Sequence, residues 1–469
     1  MSNLSAPLNL LGSGGAYELT SSGSTGGYNY EGNSAINTIE SGANSQANTC
    51  FGGYTGQPNQ ILGLTGYRTI SGGYDNIIGR LNASQPLDSA IASTIAGGAH
   101  NRIRRPLNTS DKDAVHTNAI PTNSPSAAYP THGFIGGGGY HYIHNGDDGV
   151  IIGGYVNSIA GSVAVGGTNA YQYSGHYSFI GSGAFNAVNA TQSCIVGGAN
   201  NRVDLPLSTI GGGSTNIITQ TNFGTTLLSG GTISGGINNE IRQSSSACVN
   251  GGYGNQIGQG SLANDWGSYC VIGGGLNNLV GTTAYSWGAA VLSGWNNQAQ
   301  NLYATVVGGQ NNRAMKQYTT AIGNEANANI DGAFTQASAK FLNIGDAQSS
   351  VLVIKAQTTS ATATALTSLG AALAVPSDTA WAFRCLIVAR ATASDTNGAY
   401  QVTGLVKNNA GTAALVGTPT VTTIAEDASA AAWDVTVAAS GANLEIRGTG
   451  AAATTINWVG RLELTEVTG

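Results

Sequence analysis

Apolar residues recur along the first part of the chain in one short pattern. A unit runs Ile or Val, any residue, Gly, Gly, two further residues, Asn, any residue, then Ile or Val. It reads IVGGANNRV from Ile195, ISGGINNEI from Ile233, IGGGLNNLV from Ile272 and VVGGQNNRA from Val306. Fourteen copies start at Ile70, Ile95, Ile135, Ile151, Ala164, Ile180, Ile195, Ile210, Ile233, Val249, Ile272, Val291, Val306 and Ala321. Asn fills its place in 12 of the 14, with His141 and Ala170 as exceptions. Weaker versions lie at Ile39 and around Phe51.

The commonest step between starts is 15 or 16 residues, as in the run from Ile180 through Ile195 to Ile210. That is too short for a helical repeat, which takes about 33 residues or more. It suits two short strands and two turns, and the β-branched residues at both ends of the unit agree with strand. The Gly pair is expected to supply special φ values and close backbone approach. The Asn tolerates a left-handed turn and is placed to stack on its copies as an amide ladder. The unit is therefore expected to form one coil of a parallel β-solenoid, or β-roll. Its thin core would leave one strand face wet in a monomer, a defect that packing identical chains around an axis removes.

After Gly345 the repeat stops and longer alternating runs follow. Strands are expected over 351–356, 381–391, 399–407, 420–425, 433–438, 444–448 and 456–465. That spacing predicts an antiparallel β-sandwich, which would also cap the solenoid's open end.

Composition narrows the classes. The chain has 469 residues, 70 of them Gly, only 9% charged residues and a net charge of -6. Gly at every third position with abundant Pro, as in collagen, is missing, and so is the basic surplus of a nucleic-acid binder. No apolar run reaches a membrane span. The start, MSNLSAPLNLLGSGG, lacks a signal peptide's basic region. The five cysteines show no metal-ligand spacing and are expected to be reduced.

The V/I-x-G-G-x-x-N-x-I units over about 36–330 resemble the head repeats of trimeric autotransporter adhesins. The stretch GDAQSSVLVIKAQTTSATATAL, followed by AWAFRCLIVARAT, AAWDVTVAAS and INWVGRLELTEV, resembles the C-terminal domain of bacteriophage tail fibres and tailspikes. Together the two resemblances imply a trimeric fibre carried on a virion. The expected fold is all-β: a parallel β-solenoid of 15–16-residue repeats forming a trimeric shaft, then an antiparallel β-sandwich. The expected organisation is an N-terminal virion-attachment segment (1–35), the shaft with loop insertions (36–330), a connector (331–350) and a C-terminal tip and trimerisation domain (351–469).

Insertions between units carry many of the aromatics. Sugars present CH faces and hydroxyls together, so aromatic rings beside Asp and amides suit them. The binding candidates are Tyr173, Tyr177, Asp265, Trp266, Tyr269, Tyr285 and Trp287. Packing under their own loops or between subunits is the alternative for each.

No catalytic residue is assigned, and the chain is expected not to be an enzyme. Glycan hydrolysis takes two nearby carboxylates, and only Asp111 with Asp113, Asp147 with Asp148, and Asp265 are worth weighing. No cofactor or metal is expected: the run His132, His141, His144 has structural explanations, and His141 simply replaces the repeat Asn. The expected partners are two further copies of the chain, other virion proteins through the N-terminus, and a host cell-surface glycan or protein. Nucleic acid and membrane insertion are not expected. The expected location is the phage tail, after assembly in the host cytoplasm. Alternatives are a depolymerase tailspike and a structural decoration protein without a receptor.

Overall fold

The computed structural model describes residues 17–22, 27–32, 38–39, 45–53, 57–62, 66–79, 92–103, 132–144, 148–160, 176–219, 229–242, 244–258, 267–281 and 286–469. They are all-β apart from one short 3-10 turn, Ala428–Ala430. The chain divides into two compact units: 1–254 with 261–265, and 255–260 with 266–469.

The first unit is a parallel β-solenoid preceded by an antiparallel hairpin, Tyr17–Ser22 with Gly27–Gly32. Each coil carries two short strands. Phe179–Ile180, Cys194–Ile195, Thr209–Ile210 and Thr232–Ile233 pair in parallel, one coil on the next. Ala187–Val188, Arg202–Val203, Ile217–Thr219 and Glu240–Arg242 do the same on the other side. One apolar residue of each strand points inward. Ile180, Ile195, Ile210 and Ile233 form one fully buried column, and Val188, Val203, Ile218 and Ile241 a second.

The turn between the two strands explains the motif. In the coil of Ile195 it runs Gly197, Gly198, Ala199, Asn200, Asn201. Gly198 has φ +88, and a Cβ on it would sit 2.1 Å from the carbonyl oxygen of Gly213 in the next coil. A side chain is therefore excluded by the neighbouring backbone. At Gly197 the nearest atom to such a Cβ is 3.6 Å away, and Ser182 and Ser293 occupy the equivalent place elsewhere. In this coil only the second glycine of the pair is required.

Asn201 is buried and joins three coils. Its backbone N–H donates to Asn186 Oδ1, 3.1 Å away. Its side-chain amide donates to Gly197 O (3.1 Å) and to Gly213 O (3.0 Å). Asn157, Asn186, Asn201, Asn216 and Asn239 repeat the pattern. Near the opposite turn Ser178, Ser193 and Ser208 form a smaller hydroxyl ladder, each Oγ accepting a backbone N–H from the following coil. These side chains satisfy backbone groups that two-residue strands leave unpaired in the interior.

One sequence expectation lies outside the described residues and another needs correction. The copy at Ala164 is the former; on either side of it Val150–Ile151 pairs directly with Phe179–Ile180, and Ser158–Ala160 with Ala187–Val188. That copy has Ala170 where the ladder needs an amide. In the last copy, Ala326 rather than Asn327 takes the ladder place, its N–H donating to Asn312 Oδ1 at 2.9 Å. A register shift between Val306 and Gly308 marks the one-residue shortening.

The second unit begins with coils of the same kind. Its ladder runs Asn255, Asn278, Asn297 and Asn312. Its inner column shrinks from Ile257 and Val280 to Ala299, Ala314 and Ala328, all buried. The last coil strand, Phe334–Ala337, then pairs antiparallel with Ala347–Thr358. From there a long antiparallel sheet runs Ala347–Thr358, Ile456–Thr468, Thr379–Ala391, Asn397–Asn409 and Thr420–Glu426. A second antiparallel group, Thr364–Ala365, Leu373–Ala374, Asp434–Ser440 and Asn443–Thr449, shares one core with it. Trp381, Phe383, Tyr400, Trp433, Ile446 and Trp458 fill that core.

The five cysteines form no disulfide. Cys50, Cys270 and Cys385 are buried, whereas Cys194 and Cys248 lie half-buried on the outer side of coil strands. Burial pushes the Cys385 thiol up to about 12. No helix among the described residues is long and apolar enough to cross a membrane.

Candidate binding surface

Among the described residues most coils have a second turn just before the first strand, and one residue of that turn adopts left-handed φ. In the first unit these residues include Tyr177, Gln192, Leu207 and Ser246. In the second unit they are Tyr269, Gly288, Tyr303, Tyr318 and Gly332. Backbone hydrogen bonds fix the register. The N–H of Tyr303 donates to Trp287 O and that of Tyr318 to Leu302 O, both at 2.9 Å.

Four aromatics therefore rise along one edge of the second unit on successive coils. Tyr269 is 66% exposed, Trp287 44%, Tyr303 50% and Tyr318 52%. The Tyr303 and Tyr318 rings stack, with centroids 5.1 Å apart and planes 21° apart. The coil step forces this proximity, since neighbouring strands lie about 4.8 Å apart.

Of the sequence candidates, Tyr269 and Trp287 lie on this row. Tyr177 takes the equivalent turn position in the first unit and is also exposed. Tyr173, Asp265, Trp266 and Tyr285 lie outside the described residues. Tyr303 and Tyr318 were missed because they sit in coils without insertions. The signal that marks them is positional: Tyr177, Tyr269, Tyr303 and Tyr318 each stand three residues before a buried first-strand residue.

The first unit carries another aromatic run, beside the Asn ladder. His100 stacks on Tyr140 at 4.4 Å, Tyr74 meets His100 edge-on at 5.4 Å, and Tyr140 meets Tyr155 at 5.5 Å. Tyr155 meets Phe185 at 5.9 Å. Asp75 takes hydrogen bonds from Arg102 (2.8 Å) and His100 (2.6 Å). Arg102 is nearly buried, so it neutralises Asp75 rather than meeting an outside anion.

Acidic chemistry is sparse. Asp148 pairs with His132 at 3.1 Å, and Asp111, Asp113 and Asp147 lie outside the described residues. Among the described residues no group of three metal-ligating side chains converges. His141 stands in the Asn ladder: its N–H donates to Asn101 Oδ1 and its Nδ1 accepts the Asn157 N–H at 3.1 Å. Burial lowers its pKa to about 4, so the ring is neutral at pH 7.

No family model and no curated protein matches the chain. Similar solved structures are phage tailspikes. One is tailspike gp49 of the Acinetobacter baumannii bacteriophage Fri1, a capsular polysaccharide depolymerase (9% identity, 89% of this chain and 82% of that one, TM-score 0.18). Others are the tailspikes of A. baumannii phage AM24 (9%, 86% and 78%, TM-score 0.22) and of Acinetobacter phage vB_ApiP_P1 (8%, 90% and 81%, TM-score 0.23). Likeness at this level assigns no activity to the chain. It does correct one expectation: with a depolymerase among the similar structures, the chain is no longer classed as a non-enzyme.

Proposed function

We propose that the chain is the receptor-binding protein of a bacteriophage tail, a homotrimer that adheres to a glycan or protein of the host surface. The row of Tyr269, Trp287, Tyr303 and Tyr318 carries this reading. Four half-exposed aromatics at one edge of the stack leave much of their ring surface in water in the single chain. They suit a ligand that offers apolar CH groups and hydroxyls together. Tyr173, Tyr177, Asp265, Trp266 and Tyr285 remain further candidates for contact with the same ligand.

Residues 1–35 would attach to other virion proteins, 36–330 form the shaft, 331–350 connect, and 351–469 serve as a β-sandwich tip and trimerisation domain. Support for self-association comes from apolar side chains left in water. Ile152, Val196 and Leu292 lie just past first strands, Val307 within the strand Thr305–Gln310, and Val353, Leu386, Val388 and Val459 on the outer sheet face. Three copies of a weak site raise avidity by about 10²–10⁴ over one.

The test combines light scattering with retention of purified protein on host cells. A trimer that is retained, and that loses at least about tenfold retention as Tyr269→Ala/Trp287→Ala, supports the proposal. A monomer, or retention unchanged in the double variant, removes it. The same incubation with isolated host polysaccharide follows chain length, and shortening of the glycan identifies a depolymerase.

A further inference from the structure

We infer that the tyrosine row reads its ligand through phenol hydroxyls and ring edges, not ring faces, and that the ligand is a linear, hydroxyl-rich chain lying along the stack of coils. The inference rests on the glycan-binding reading above and specifies its geometry.

The faces of Tyr303 are already occupied. One face of Tyr303 is taken by Tyr318 at 5.1 Å. Its ring also overlies the backbone of the preceding coil. A Cβ placed on Gly288 would meet Tyr303 Cδ1 at 2.7 Å and Cε1 at 2.8 Å. A sugar face therefore has no platform on Tyr303. Yet Tyr303 and Tyr318 are each about half exposed, so their outward surface is edge and hydroxyl. Neither hydroxyl has a hydrogen-bond partner among the described residues.

Position adds to this. Tyr303 and Tyr318 hold φ of +53 and +57, which costs a bulky residue about 1 kcal/mol or more. Gly or Asn would sit there without that strain, and Gly288 and Gly332 do so in the same row. Ring stacking offsets part of the cost, but an outward hydroxyl adds nothing to it. The hydroxyls of Tyr303 and Tyr318 stand on successive coils, about 4.8 Å apart. A compact ligand would meet one of them; an extended polysaccharide parallel to the stack would meet one per sugar.

The test uses a printed array of bacterial capsular and O-antigen polysaccharides, with the full-length wild type, Tyr303→Phe/Tyr318→Phe and Tyr303→Ala/Tyr318→Ala. The Phe pair keeps the stack and removes only the hydroxyls, so its melting temperature should match wild type. Its affinity for whichever polysaccharide the wild type retains should fall about 30-fold, from two lost hydrogen bonds of about 1 kcal/mol each. The Ala pair should lose at least as much. If the Phe pair binds like wild type, the hydroxyl reading is wrong and glycan binding stands. If the wild type retains no polysaccharide, glycan binding itself fails.

Discussion

Asn201 Oδ1 accepts two hydrogen bonds from Asn216 one coil away, from its backbone N–H at 3.0 Å and from its side-chain amide at 3.2 Å. That relationship repeats along the coils and replaces the backbone bonds that two-residue strands cannot make. Removing one amide should therefore hurt far more than removing an exposed polar group. Asn201→Ala leaves the Asn216 N–H and the Gly197 carbonyl without their partner, and Gly213 O with only the Ala199 N–H. A loss of about 2–4 kcal/mol is expected in urea denaturation. The exposed neighbour Asn200, changed to Ala, should cost about 1 kcal/mol, the price of its left-handed φ.

The two glycines of the motif should behave differently. Gly198→Ala forces a methyl group into the Gly213 carbonyl, and a loss above about 4 kcal/mol, or failure to fold, is expected. Gly197→Ala has open space and should lie within about 1 kcal/mol of wild type. Equal losses in thermal melts of the two variants would contradict the coil geometry.

His141 makes stability depend on mild acid. Its folded pKa, about 4, lies below the ordinary 6.5, so the unfolded chain binds its proton more readily between those values. Stability from this group is complete above about pH 6.5 and is lost as pH falls through about 4, by up to about 3 kcal/mol. His141→Asn restores the usual ladder residue. Its melting temperature should exceed that of wild type at pH 4.5 by more than at pH 7.5.

Glu466 acts in the opposite sense. It is buried, accepts hydrogen bonds from Ser350 Oγ and Gln348 Nε2, and burial raises its pKa. The folded chain therefore holds this proton more tightly than the unfolded one. Its contribution is complete below the ordinary carboxyl range and is lost as pH rises through the raised value. Thr335 bonds Ser350 at 2.9 Å, which ties the last coil strand to the same network. Glu466→Gln should reduce the loss of melting temperature between pH 5 and pH 8.

Much of this was legible in the chain. The Ile and Val at both ends of each unit mark the inward columns, and Asn at a constant offset marks the ladder. One buried side chain performs the same task in every coil, so selection leaves it at the same place. The tyrosine row was legible too, three residues before each buried first-strand residue, but it hides in the shortest coils, where nothing interrupts the repeat.

The sequence by itself determined the parallel coil, its period and the antiparallel character of the last third, because strand periodicity and turn chemistry are local. Only the tertiary structure decided which residue of a copy takes the ladder place. Ala326 displaces Asn327, since stacking depends on the backbone of the next coil. The same dependence separates Gly198 from Gly197. It also turns Tyr303 and Tyr318 from isolated turn residues into a stacked pair in which both faces of Tyr303 are covered.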